Sequence, residues 1–384
     1  MDFVLVKAGK IDKNTVRFDR AVFFCGKSFI IERNIQVCYT DRNYQCRKEK
    51  ALENEVEQMA AKKIIMDCDP GVDDGIAMAL IAAYPEIFQV LAVTTVNGNQ
   101  TLDKVTKNAL DLTEFYGMDV PVAKGMDAPI IREPVYAPDA HGETGLGYCV
   151  LAPSSRQTER EQGVLYLQRI LTELPEGEKI TLLATGPLTN IAMLLKMFPE
   201  VKEKIREILF MGGAAQGGNV TSSAEFNIYV DPEAAKIVFK AGIPLVMFGL
   251  DVTNRCFLTK NQVMKLSQSP DPVAKACGDM AGYALENENK YRGVVSIHDA
   301  APVMYLLHPE IFKGERAILD VDCSEGISRG RTICDFRWWS YEPEATNAFV
   351  VMDVKEDKFQ EYLISALFEL GDKAGEKTEK GIEK

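Results

Sequence analysis

The chain is short of histidine: His141, His298 and His308 are the complete set in 384 residues. It has no Cys-x-x-Cys pair, and its nine cysteines are scattered and odd in number. That argues against a disulfide framework and favours a reducing, cytoplasmic setting. No apolar stretch approaches the roughly 20 residues of a spanning helix, so no membrane segment is expected. Basic charge is scarce too. With 44 Lys and Arg against 56 Asp and Glu, the formal charge is −12. A general nucleic-acid or anionic-membrane binder needs a basic footprint, so both classes are disfavoured. A small neutral substrate is not.

What is present is core material: 46% of residues are hydrophobic, enough for one large α/β domain or two ordinary ones. Residues 1–58 stand apart. They mix acids and bases, hold Cys25, Cys38 and Cys46, and end in a polar run over 47–58. They lack the apolar core of a signal peptide and carry too many acids for a typical transit peptide. We expect them to be a poorly ordered or accessory extension. Residues 59–371 read as the principal domain, and 372–384 as a polar, frayed tail. Within the domain, short aliphatic runs at 90–96, 180–184, 207–211 and 244–250 alternate with helical patterns at 102–116, 162–174, 190–197 and 233–241. That rhythm predicts an open, mostly parallel sheet flanked by helices.

The densest chemistry is Asp67-Cys-Asp-Pro-Gly-Val-Asp-Asp74, four carboxylates between a strand-like run (64–66) and a small-residue helix (75–83). One acid can cap a helix, but four crowded together need a cation or a shared proton. Pro70-Gly71 folds Asp69 back towards Asp74, and Asp73-Asp74 fall where the helix dipole tolerates negative charge. An all-oxygen ligand set suits a hard cation such as Ca²⁺ or Mg²⁺. Polar residues recur at strand ends: 97–99, Thr185-Gly186, Gly212-Gly213 and Asp251. In an open α/β sheet such loops converge on one pocket. A glycine-bearing loop carries Asn219, Glu225 and Asn227, residue types suited to a sugar's hydroxyls. His298-Asp299 precedes a further apolar helix.

Taken in order, these segments resemble the nucleoside hydrolases, the inosine–uridine-preferring nucleoside N-ribohydrolase group. The resemblance runs from about Lys62 to about Gly371. It rests on Asp67 to Asp74, Thr94 to Asn99, Thr185 to Asn190, Met211 to Gly213, Ala224 to Asn227 and His298-Asp299. It implies a Rossmann-like fold and Ca²⁺-dependent cleavage of the N-glycosidic bond of ribonucleosides to ribose and free base. Asp69, Asp74, the Thr185 carbonyl and Asp299 would hold calcium. Asp73, Asn99 and Asn227 would bind ribose, and Asn219 and Glu225 its 5′-hydroxyl, with Met211 packing nearby. Asp69 would accept the proton of the attacking water, His298 would protonate the departing base, and His141 would sit over that base. Members are commonly dimers or tetramers, so a homo-oligomer is expected.

Chemically the assignment is coherent, since an oxocarbenium-like transition state calls for a positioned water, a base and nearby negative charge. The protonation of His298 is open: a helix start and a cation favour neutral imidazole, while carboxylates push the other way. Base preference is open as well. Tyr283 and Tyr291 are shifted from the usual tyrosine ahead of His-Asp, while His141-Gly-Glu143 matches nonspecific members, so purine and pyrimidine ribonucleosides are both expected. Two rival readings are weaker. An Asp-x-Asp phosphatase with Asp67 as nucleophile sits badly with Pro70-Gly71 and the extra acid pair. A non-catalytic nucleoside-binding protein would have no need of a general base such as Asp69.

Overall fold

The computed structural model describes the backbone of residues 2–12, 15–25, 28–32, 35–38, 61–287 and 292–382, and side chains over 61–287, 292–337, 339–342 and 344–371. The chain divides into two units, Met1–Lys62 and Lys63–Lys384. In the first, strand β2 (Thr15–Cys25) pairs antiparallel with β1 (Asp2–Asp12), β3 (Ser28–Glu32) and β4 (Ile35–Cys38). The rest of the expected extension lies outside the described residues.

The second unit is built on nine strands. The first six along the chain are β5 (Lys62–Cys68), β6 (Phe88–Thr95), β7 (Val122–Lys124), β8 (Ile180–Ala184), β9 (Ile205–Met211) and β10 (Leu245–Phe248). A separate antiparallel pair, β11 (Phe257–Thr259) with β12 (Val294–Ser296), intervenes before β13 (Phe312–Val321), β14 (Thr332–Asp335) and β15 (Ala348–Val354). The order across the large sheet is β14-β13-β15-β10-β9-β8-β5-β6-β7. Its centre is parallel, with β8 against β5, β9 against β8, and β10 against β9 and β15. The β13 edge runs antiparallel to both its neighbours. This is an open, mostly parallel α/β sheet covered by helices on both faces.

Strand alternation sorts the core into two layers. Ile64, Met66 and Cys68 of β5 face one cluster with Ile76, Leu80, Met280 and Phe359. Ile65 faces the other, with Leu167, Ile191, Phe210 and Phe239. Helix Val72–Ala83 is buried along nearly its whole length, which its almost uniformly apolar sequence requires. The last helix, Glu356–Ile382, carries the backbone into the segment expected to be a tail. Among the described residues no helix is long and apolar enough to cross a membrane.

Strand order decides where a ligand can sit. From β5 the chain moves outward to β6 and β7, then returns to lay β8 on the opposite side of β5. The loops leaving β5 and β8 therefore diverge over a topological switch point, the crevice in which open α/β sheets bind ligands.

Candidate active site

Asp67 is the penultimate residue of β5 and is fully buried. Its Oδ1 accepts from Thr94 Oγ1 and, at 2.7 Å, from Asn190 Nδ2, while its carbonyl accepts from the Thr185 N–H at 2.9 Å. Burial pushes its carboxyl up to about 6 against these hydrogen bonds. Asp67 thus ties the ends of β5, β6 and β8 together and does not line the cleft described below. It is no exposed nucleophile, so the phosphatase reading loses its central residue.

The buried Oδ2 of Asp67 has no hydrogen-bond partner. Three further acids follow. Asp69 Oδ2 accepts from the Asn99 N–H at 2.7 Å, but its buried Oδ1 has no hydrogen-bond partner. A side chain on Gly98 would overlap this carboxylate, so the close approach of residue 98 requires glycine. Asp74 is held by the Gly71 N–H at 3.0 Å, Asn99 Nδ2 at 3.2 Å and Thr185 Oγ1 at 2.7 Å. Asp73 and Asp74 occupy the first turn of helix Val72–Ala83, and Asp299 precedes helix Ala300–Leu307. Carboxylate oxygens of Asp73, Asp74 and Asp299 lie within 4.8 Å of one another. Burial, followed by mutual repulsion, holds Asp69, Asp74 and Asp299 above the usual carboxylate range, and burial does the same to Asp73. Such a group of acids has a place for a cation: an orphaned buried oxygen, clustered carboxylates and only oxygen donors.

Above the acids opens a cleft of about 190 Å³ lined by Asp73, Asn99, His141, Thr185, Met211, Asn219, Glu225, Asn227, His298 and Asp299, among others. Every expected site residue lines it except Asp69 and Asp74, which lie beneath. Two amides in it are oriented by their neighbours. Asn99 Nδ2 donates to the Asp69 carbonyl at 3.1 Å as well as to Asp74, and Asn227 Nδ2 donates to the Thr185 and Met211 carbonyls at 2.8 and 3.0 Å. Because these partners only accept, the amide nitrogens must face them. Glu225 receives the Gly213, Asn227 and Ile228 N–H groups at 2.7, 2.9 and 3.2 Å, and burial outweighs those bonds to raise its carboxyl to about 7. Asn219 Oδ1 accepts from the Phe226 N–H at 3.0 Å.

Two of the three histidines reach the cleft. His141 belongs to the short helix Pro138–His141, and its Nδ1 accepts from the Val72 N–H at 3.1 Å. A backbone N–H can only donate, so the neutral ring carries its proton on Nε2. His298 is partly buried, with Nδ1 at 2.8 Å from Thr253 Oγ1. Burial first, then Arg292 and His141, lower its pKa to about 4. The imidazole is therefore neutral at pH 7, and burial rather than the neighbouring carboxylates decides the balance.

The sequence profile of the inosine-uridine preferring nucleoside hydrolases matches residues 64–361. The chain belongs to that family.

Among relatives of this nucleoside hydrolase is the pyrimidine-specific ribonucleoside hydrolase RihB of Escherichia coli (strain SMS-3-5), 41% identical over 297 residues, 77% of this chain and 94% of that protein. RihB of Shigella flexneri is equally similar, at 41% over the same shares. In solved structures, the fold resembles a purine-preferring ribonucleoside hydrolase from Gardnerella vaginalis, with a TM-score of 0.74 at 30% identity over 81% of this chain and 99% of that one. A plant nucleoside hydrolase gives 0.74 at 29% identity over 80% and 98%.

Several residues of the hydrolase cleft carry no signal in the sequence. Thr253 is buried on the short helix Leu250–Thr253, and nothing near it marks a partner for His298. Val72, Ala137, Ala140, Phe226 and Ala284 line the cleft as apolar surface. Their types are those of any core, so only position distinguishes them. Asp251 holds the Ala215 and Gln216 N–H groups at 2.6 and 3.1 Å, outside the cleft. Tyr283 packs edge-on against Tyr148 at 5.1 Å, while Tyr291 lies outside the described residues.

Proposed function

We propose that this chain hydrolyses the N-glycosidic bond of ribonucleosides, releasing ribose and a free base, and that it does so with bound calcium. The observation that carries the reading is the convergence of Asp73, Asp74 and Asp299 at the floor of a cleft whose walls offer hydroxyl-binding amides and two histidines. Asp69, Asp74, Asp299 and the Thr185 carbonyl would hold the ion, with Asp73 beside it. When bound, Ca²⁺ supplies the positive charge that relieves the crowded acids, orients the ribose diol and acidifies the attacking water.

The chain's own residues do the rest. Asn99 and Asn227 have their amide nitrogens engaged, so each turns its carbonyl oxygen to a ribose hydroxyl. Asp73 accepts from a further one. Glu225 and Asn219 receive the 5′-hydroxyl, while Met211 fills the space beside the ring. Asp69 takes the proton of the water attacking C1′. These contacts hold C1′ in line with the water and strengthen as the ring flattens, which is differential binding of the transition state. With Thr253 Oγ1 set against Nδ1, neutral His298 offers its Nε2–H to the departing base, a hydrogen bond that strengthens as negative charge builds on the base while the bond breaks. His141 presents a second Nε2–H near the same end.

Both base classes enter this reading, with pyrimidine ribonucleosides favoured. The 41% relatives named pyrimidine-specific support the preference, and the 30% purine-preferring structure supports keeping purines in view. Steady-state kinetics on uridine, cytidine and inosine, with and without a calcium chelator, test it. Calcium-dependent release of ribose with uridine ahead of inosine is the expected result. Tight nucleoside binding without turnover would instead favour the binding-protein alternative.

A further inference from the structure

Helix Leu102–Phe115 starts just after Asn99, and Gln100, two residues ahead of it, recurs at intervals of four with Lys104 and Asn108 on its first turns. Each donates to one of three consecutive carbonyls in the loop that carries His141. Gln100 Nε2 reaches Gly142 at 2.8 Å, Lys104 Nζ reaches Glu143 at 2.6 Å, and Asn108 Nδ2 reaches Thr144 at 2.9 Å. Asn108 Nδ2 also donates to the Pro70 carbonyl at 3.0 Å. One buried amide therefore spans the acid loop and the His141 loop. The fit is close: Gly145 has φ +93°, and a Cβ there would lie 2.6 Å from Asn108 Nδ2. The loop is pinned at its start as well, where the Ala137 N–H donates to the Asn99 carbonyl at 3.1 Å.

We propose that Gln100, Lys104 and Asn108 form a positioning ladder that locks residues 137–147, and His141 with them, over the leaving-base end of the cleft. This rests on the nucleoside-hydrolysis reading above. A loop held along its length has lost its conformational freedom before substrate arrives, so binding need not supply that entropy. Gln100 and Asn108 are buried, and their bonds are shielded from water. The Lys104–Glu143 ion pair is exposed and adds little; Lys104 acts chiefly through the Glu143 carbonyl. The ladder starts one residue from Asn99, so the ribose-binding and base-facing parts of the site share one helix as their frame.

The test compares Asn108→Leu, Gln100→Met and Lys104→Met with the parent. Hydrogen exchange should accelerate at amides of 137–147 and stay unchanged in β5 and β8. KM for nucleosides should rise by about tenfold for the buried rungs, the size of one or two lost neutral hydrogen bonds, with a smaller change in kcat. Hydrolysis of p-nitrophenyl riboside, whose leaving group needs no help from the loop, should hold within about twofold by the same reasoning. Lys104→Arg should restore what Lys104→Met loses. Unchanged exchange in 137–147, or equal losses on nucleosides and the aryl riboside, would overturn the ladder. Should Asn108→Leu not fold, the Gln100 and Lys104 variants decide. If the parent cleaves no riboside at all, the catalytic reading fails, and exchange in 137–147 still decides whether the ladder holds the loop.

Discussion

Thr253 Oγ1 stands 2.8 Å from Nδ1 of His298, a fully buried hydroxyl set against one nitrogen of the histidine at the cleft rim. The contact joins the segment after β10 to the segment after β12. It engages Nδ1, leaves Nε2 as the ring's other nitrogen, and resists rotation of the ring.

Thr253→Val keeps the shape of the side chain and deletes the hydroxyl. We expect kcat on nucleosides to fall by about tenfold, equivalent to about 1.4 kcal/mol, with KM little changed. Hydrolysis of p-nitrophenyl riboside should be nearly unaffected, because its leaving group departs without a proton. Equal kcat for Thr253→Val and parent on uridine and inosine would show that the hydroxyl does not orient His298.

Asp69→Asn retains an oxygen for the Asn99 N–H but cannot accept a proton from water. A loss of roughly 10²–10⁴-fold in kcat is expected, the range for removing a general base. Circular dichroism and the melting temperature should stay close to the parent's. A variant that folds normally and keeps its kcat would exclude Asp69 as the base.

The proposed calcium site makes metal binding and pH depend on the same buried acids. Asp67 titrates at about 6 and Glu225 at about 7 in the folded protein, while Asp69, Asp73, Asp74 and Asp299 are also raised. Between about pH 4 and 7 the unfolded chain has released these protons and the folded one retains them, so stability of the chelated protein falls as pH rises through that window. On the calcium reading, the ion would replace the protons on its ligands. The gap in Tm between calcium-loaded and chelated protein should therefore widen from about pH 5 to pH 7.5. A gap that is constant or shrinks over that range would contradict a cation held by these carboxylates.

Some of this was legible from residue order. The run from Asp67 to Asp74 announces a strand, a turn and a helix start, and β5 with helix Val72–Ala83 is what forms. Strand β8 occupies 180–184 as its mostly aliphatic run indicates, because a strand buried on both faces has little room for polar residues, Thr181 being the exception here. Strand β13 is not legible in that way. Lys313, Glu315 and Arg316 break its pattern, and antiparallel pairing with β15 makes it a strand. The four strands within residues 2–38 are not announced by the mixed acids and bases of that segment either.

The site divides along the same line. Order along the chain determined which residue types are available: an acid-rich helix start, amides in a glycine loop, a His-Asp pair before an apolar helix, and a strand–helix rhythm that builds an open sheet. Local sequence can do this because capping, turn formation and periodicity act over a few residues. Only the tertiary structure decided how the acids divide their work. It placed Asp67 among Thr94 and Asn190 as a brace, left one oxygen each of Asp67 and Asp69 unpaired, and gathered Asp73, Asp74 and Asp299 around one point. It also set Thr253 on His298 and wrapped 142–144 along the helix of Asn108. Hydrogen bonds and electrostatic repulsion act through space, and the return of β8 to the far side of β5 makes neighbours of segments far apart in the chain.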